Sequence, residues 1–446
     1  MRRVILGPVL VLLAAWTAPT AAAAEPAPSI RVDWPMYHGD AARSGYAPSM
    51  PAVSGQPRVV HQLTLDGAVY ASPIVVGGVT IVATENDSVY AFDASFHRIW
   101  RRHLGSPSPA GERPCGDIDP LGITGTPVYD SSHNAVDVAA ELGGPPRHRL
   151  YSLSLATGAV NWVRNLDLSG VETVAMQERG ALALTGGRVW VPFGGLSGDC
   201  GGYKGRVVGI ALDGTGPPVA FTVPTTREAG IWSTPGPVVN ADGTLYVSVG
   251  NGEAGVGDPY DHSDSVLRLD INARLLGYFA PTTWATDNQS DLDLGSMGPA
   301  LVGSKWIFAA GKSGNAYVLD RYHLGGIGGE VSQAPLCRAF GGSGVVGNVV
   351  YLPCTDGVRA VRIDSAGTMH PLWQAVSSRN GSPVVGGGRV WTLDPGGGVL
   401  WALDPATGQS SASVSVGAAN RFATPAIYGR LVLVPTLVGL TVVATS

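Results

Sequence analysis

From about residue 58 onward the chain runs in short apolar stretches broken by Gly, Asp, Asn and Pro, and no stretch keeps an apolar period of 3.6 residues. Ser88-Val89-Tyr90-Ala91-Phe92-Asp93 and Gly398-Val399-Leu400-Trp401-Ala402-Leu403-Asp404 are typical: short, rich in β-branched and aromatic residues, and bounded by Gly or Asp. Such runs read as strands, and few helices are expected. The pattern also repeats. A small residue before Pro or Gly opens a strand; a Gly turn, a β-branched strand, another turn and an apolar strand ending in Asp follow. Eight units carry it, opening at Ala71, Gly125, Ala181, Ser233, Met297, Gly341, Gly381 and Ala423. Strand sets about 40–60 residues apart, with no crossover helix, predict antiparallel blades in a ring. The fold expected is all-β, an eight-bladed β-propeller of four-stranded antiparallel blades. The eighth unit, 423–445, has no outer strand of its own, while Arg58 to Leu65 is an apolar run with no partner. That run is expected to complete blade eight, which removes two open sheet edges. The alternative is a seven-bladed ring with a stray hairpin.

What precedes the ring changes the picture of where the protein works. Arg2 and Arg3, the apolar run Val4 to Trp16 and the small residues Ala21 to Ala24 follow the order of a secretory signal peptide. An uncleaved membrane anchor is the alternative, since Val4 to Ala24 is about long enough to span. The expected division is a signal peptide over 1–24, a lead-in segment over 25–57 and the propeller over 58–446. No Cys lies near the cleavage region, which excludes an amino-terminal lipid anchor; the mature chain is expected to be secreted or cell-surface, free of membrane spans and monomeric. Without Arg2 and Arg3 it holds 27 basic against 34 acidic residues, a net of −7, and no basic stripe, so nucleic acid is excluded as a partner. The 62 Gly and 33 Pro are spread throughout, as many tight turns require.

Four Cys in an exported chain suggest two disulfides. Cys337 and Cys354 flank one hairpin across the Gly347-Asn348 turn, which places them within bonding reach. Cys115 sits in the connection into blade two and Cys200 in the loop between the second and third strands of blade three. In a propeller those two loop types open on one face, so Cys115–Cys200 is the expected second pair, clamping loops over the axis; free thiols are the alternative there. No CxxCH, CxxC or HExxH occurs, so haem attachment and the common metal signatures are excluded.

The phrase Ala-x-Asp-x-x-Thr-Gly-x-x-x-Trp recurs. Leu153 to Trp162 carries it almost whole, Ala402 to Gly408 carries its first half, and Asp93 with Trp100 and Asp364 with Trp373 are looser copies. Asp and Gly shape the turn and Trp buries a flat area against the next blade. Together with Trp34-Pro35-Met36-Tyr37-His38-Gly39-Asp40, this resembles the quinoprotein-like (PQQ-binding-like) propeller repeat family over about residues 34 to 445. The likeness is greatest to secreted members without an assigned activity, through the segments at 115–127, 199–205 and 291–296. The family's dehydrogenases hold pyrroloquinoline quinone and Ca²⁺ on the face where the blade connections and the second-to-third-strand turns open. By that resemblance Trp232 is the floor under the quinone, Lys312 contacts it, Asn251 and Asp291 ligate Ca²⁺, and Asp291 or Asp293 is the catalytic base. Oxygen ligands suit Ca²⁺, and a base beside it would take an alcohol proton. Glu85, Cys200 and Glu253 fall on the same face; Glu85, in a Glu-Asn-Asp turn, is expected to be solvated. The departures weigh against catalysis. No Cys-Cys pair is present, Asp199 or Cys200 stands where the family has a Ca²⁺-binding Glu, and the long insertions that roof the enzyme pocket are missing. The function expected is a non-catalytic binding or scaffold module of the cell envelope or exterior, offering its loop face to a protein or glycan partner. The alternative is a PQQ- and Ca²⁺-dependent alcohol or aldehyde dehydrogenase.

Overall fold

The computed structural model describes Met1 and residues 32–446. The expected signal peptide and the first part of the lead-in lie outside the described residues. Eight antiparallel sheets form the ring. In blade one the strands run Ile74–Val76, Val79–Thr84, Ser88–Phe92 and Arg98–His103, from the axis outward. The next seven blades start at Val128–Asp130, Ala183–Thr185, Val238–Val239, Ala300–Val302, Gly344–Val346, Val384–Gly386 and Ala426–Tyr428. Arg58–Thr64 pairs antiparallel with Gly439–Ala444 and supplies the outer strand of blade eight, as the repeat count requires. The described residues contain a single α-helix, Trp284–Gln289, in the connection from blade four to blade five. No helix among them is long and apolar enough to cross a membrane.

The sequence phrase has a packing reason. Trp100 Nε1 donates to Leu155 O (2.9 Å), Trp162 Nε1 to Leu212 O (3.1 Å) and Trp373 Nε1 to Pro405 O (2.9 Å), each reaching from an outer strand to the turn of the next blade. Gly158, Gly214 and Gly408, all at positive φ, lie beneath those rings; a Cβ there would sit 2.5, 2.6 and 2.4 Å from them. The indole therefore docks only where the following blade has neither a side chain nor a right-handed turn. In blade one the second and third strands are buried almost end to end because both faces of the blade are covered, whereas its outer strand alternates towards solvent.

One end of the axis is plugged by the lead-in. Residues 34–46 bond to the inner strands of five blades: Trp34 with Val75, Tyr129 N to Pro35 O, Val239 N to Ala41 O, Val345 N to Ser44 O and Val385 N to Gly45 O. Tyr37 Oη meets Thr424 Oγ1 of blade eight at 3.1 Å. Buried Arg43 donates to Tyr37 O, Leu182 O and Pro237 O at 3.2, 2.7 and 3.4 Å. Its charge is thus spread over three carbonyls in the middle of the ring.

Both disulfides form. Cys115–Cys200 joins Cα atoms 6.2 Å apart and Cys337–Cys354 joins Cα atoms 5.7 Å apart. The second pair is right for a reason slightly different from the one the sequence suggested. Cys337 lies in the connection leaving blade five, which runs antiparallel beside Cys354 through an Ala339–Cys354 bridge; it is not on the first strand of the hairpin.

Candidate functional site

At the end of the axis opposite the plug lies a cavity of about 470 Å³. Every loop that reaches it is a connection between blades or a turn between second and third strands. Trp232, Asn251, Asp291 and Lys312, four residues singled out from the sequence, line it together. Local packing fixes each of them. Trp232 lies against Gly194 and Gly250, where added Cβ atoms would come within 2.8 and 3.0 Å of it. Asn251 O accepts from Ala229 N (2.7 Å), and its Nδ2 donates to Glu228 Oε2 (3.2 Å). Asn288, on the short helix, accepts from Gly252 N and donates to Ala254 O and Ser263 Oγ, tying the long turn of blade four to the segment that carries Asp291.

Lys312 is the centre of charge. Its Nζ pairs with Asp291 and, at 2.9 Å, with Asp293, while its backbone N donates to Asp293 O. The ammonium also stands 5.3 Å from the Trp232 ring centre. Burial works to lower the Lys312 pKa, but Asp293 and Asp291 together hold it above its ordinary value. The two aspartates part company here. Asp291 opens to the cavity with its side chain 61% exposed; Asp293 is fully buried behind Lys312 and does not line the cavity. Burial pushes the Asp293 carboxyl up to about 6. Behind it Asp264, which accepts from Leu294 N at 2.7 Å, is held well above its ordinary range by burial and by the Asp293 charge.

Sequence reasoning missed the arginines. Arg179, Arg338 and Arg421 also line the cavity, with Phe340 and Phe422. The Arg179 guanidinium lies 4.0 Å from the Phe422 ring centre and 5.9 Å from that of Trp232; Arg421 lies 3.7 Å from Phe340 and 5.7 Å from Phe422. Neither Arg179 nor Arg421 makes a side-chain hydrogen bond or an ion pair among the described residues. Burial lowers the pKa of both, and Asp117 and Glu85 act on Arg179 only through space. A signal did exist: both arginines sit on blade connections, the loop class that led to Trp232, and Arg421 is followed by an aromatic residue.

Glu85 is a correction. It is not solvated but 2% exposed, accepting from Gly122 N at 2.8 Å, and burial pushes it up to about 7. Asp87, Glu141 and Glu178 are buried in the same network, and burial lifts Asp87 to about 9 and Glu178 well above its ordinary value. His148 stands between Glu141 (3.3 Å) and Asp167 (2.8 Å); burial opposes its charge, but these carboxylates raise it to about 10. Cys200 and Cys115 pack with Ile118, Leu121 and Leu196 at the cavity wall, so their disulfide holds two wall loops together.

Among the described residues, the only three acid, His or Cys side chains close enough to share one ion are Cys337, Cys354 and Asp356, and both cysteines are in a disulfide.

A family model described as outer membrane protein assembly factor BamB matches residues 52–185. No curated protein matches the sequence. Among solved structures, the chain is similar to the quinohemoprotein alcohol dehydrogenase of Comamonas testosteroni (TM-score 0.72, 18% identity, covering 93% of this chain and 80% of that one). It is similar to the quinohemoprotein alcohol dehydrogenase ADHIIG of Pseudomonas putida HK5 (TM-score 0.70, 15% identity, 93% and 80% covered). It is also similar to BamB of Moraxella catarrhalis (TM-score 0.60, 17% identity, 88% and 98% covered). At these identities the likeness is one of fold, and the fold is shared by enzymes and an assembly factor alike. Closed ring and matches together show the eight-bladed β-propeller fold, and over residues 52–185 the sequence is similar to the BamB family model.

Proposed function

We propose that this protein is an exported, non-catalytic binding module whose axial cavity takes a ring-shaped anionic small molecule. Arg179 carries the reading. It is a partly buried guanidinium at the cavity wall whose only contacts of note are the faces of Phe422 and Trp232. Buried charges in folded proteins are normally paired, and an Arg fork matches a carboxylate with two parallel hydrogen bonds. Arg421 adds a second unpaired guanidinium at the rim, and three aromatic rings offer flat surface beside them. The two disulfides agree with an extracytoplasmic setting.

A second reading, the quinone-dependent alcohol or aldehyde dehydrogenase, draws on the meeting of Trp232, Asn251, Asp291 and Lys312 at one cavity. The residues suit the quinone: Trp232 offers a flat floor, and the unpaired Arg179 offers charge for its carboxylates. When bound, pyrroloquinoline quinone supplies a two-electron acceptor. Asp291, whose carboxylate opens to the cavity beside Lys312, would then take the alcohol proton. Ca²⁺ suits the site less well. The Asn251 amide oxygen is free, but Asp291 is taken by an ammonium, and among the described residues no three acid, His or Cys side chains converge at this cavity. No step is routed through Ca²⁺.

The test is a calorimetric titration of the mature protein with pyrroloquinoline quinone and, separately, with glucuronate, each with and without Ca²⁺. Binding of at least one anion, weakened about tenfold or more by Arg179→Ala, is expected. Silence towards both ends the first reading. Dye reduction in the presence of ethanol and bound quinone would replace it with the second.

A further inference from the structure

Beside the axial cavity, on the same face, lies a second cavity of about 450 Å³. Its wall comes from the turn after Val349–Leu352, the connection into blade seven and the turn after Arg389–Asp394. Phe340 and Arg421 line both cavities, so the stacked pair they form is the ridge between them. The chemistry changes across that ridge. The second cavity holds no cation apart from Arg421; instead it presents Thr355, Ser378, Asn380 and Asp394 between the apolar faces of Pro353 and Pro395. The hydroxyls of Thr355 and Ser378 make no hydrogen bond among the described residues. Asn380 uses only its Nδ2, on Thr355 O, and Asp394 uses only Oδ1, on Gly397 N. Two hydroxyls, an amide oxygen and a carboxylate oxygen are therefore left for a ligand. Hydroxyl, amide and carboxylate groups around an opening with apolar walls match a sugar ring, whose hydroxyls both donate and accept and whose C–H faces are apolar.

Resting on the anion-site reading above, we propose that the two cavities hold one ligand, an acidic oligosaccharide. Its carboxylate-bearing residue sits in the axial cavity near Arg179, and the neighbouring neutral sugar crosses the Arg421–Phe340 ridge into the second. A charged second sugar is disfavoured there by Asp394.

The experiment titrates the full mature protein with glucuronate, with a disaccharide of glucuronate linked to N-acetylglucosamine, and with pyrroloquinoline quinone. The disaccharide is expected to bind about tenfold or more tightly than glucuronate, because the second sugar adds contacts without a second association step. The double variant Ser378→Ala/Asn380→Ala is expected to lose that gain and to keep the wild-type affinity for glucuronate, which also reports that it has folded. Equal affinity for mono- and disaccharide, or a gain that survives the double variant, overturns the two-cavity ligand and leaves the anion site in place. Binding of the quinone but of neither sugar acid overturns the glycan and likewise spares the anion site. Silence towards all three removes both.

Discussion

The two ends of the channel treat arginine in opposite ways. At the plugged end Arg43 is buried and gives its hydrogens to three backbone carbonyls drawn from the lead-in and from blades three and four. At the open end Arg179 and Arg421 have ring faces for company and no acceptor. The same side chain is a structural bolt in one place and an open valence in the other. What differs is whether the chain itself supplies the acceptor. The chain gives Arg43 three carbonyl acceptors at one end and gives Arg179 and Arg421 none at the other, which points to the open end as the one under functional demand.

The comparison can be broken most forcefully at Arg43. Arg43→Leu strands three carbonyls in the ring centre and is expected to cost about 3–5 kcal/mol in denaturant unfolding. A loss no larger than that of a surface substitution would mean the plug holds nothing. Next in size is the clamp at the open end. Replacing Cys115 and Cys200 by Ser frees a loop closed across a separation of 85 residues, and about 2–4 kcal/mol should be lost. The anion affinity should fall with it, since these loops form the cavity wall.

A pH titration comes third and tests the buried acids near the open end. Burial raises Asp293 to about 6, Glu85 to about 7 and Asp87 to about 9; Asp137, also buried, is raised to about 7. A raised carboxyl keeps in the folded state a proton that the unfolded chain releases. Its contribution is intact below the ordinary carboxyl value and is lost as pH rises through the folded value. Charged His148, raised to about 10, works in the same direction at higher pH. His38, lowered by burial to about 3, works the other way, but only up to its ordinary 6.5. Thermal stability should therefore decline from about pH 4 to about pH 10, with His38 offsetting part of the loss below 6.5; a flat or rising profile would show that these acids have found counter-charges. The smallest effect is expected at Arg421. Arg421→Leu should leave unfolding within about 0.5 kcal/mol of wild type while weakening anion binding.

The ring was legible because each of its parts is local. Gly158, Gly214 and Gly408 each stand in the turn directly after the third strand of a blade, and the unpartnered run 58–65 had one blade left to complete. Site membership was legible to the same depth: the rule that connections and second-to-third-strand turns open at the axis found Trp232, Asn251, Asp291 and Lys312. Pairing was not legible. Whether Glu85 meets water or Gly122 N, and whether Arg179 meets a carboxylate or a phenylalanine, is decided by loops that lie far apart in sequence. Asp291 and Asp293 read alike in the chain, yet one faces the cavity and the other is sealed behind Lys312. The lead-in looked like a preface to the ring, and nothing in its composition foretold that Tyr37, His38 and Arg43 would be buried at its hub.

Blade eight is sewn from two threads, residues 58–64 and 426–444, whose pairing spans almost the whole described chain. Such a seam forms late, because nearly every other contact must first bring its two sides together. A chain emerging in order would remain an open arc until the 439–444 strand arrives, with the 58–64 strand exposed in the meantime. Quality control thus has a simple mark to read: an unmet edge at residue 58 means an unfinished molecule.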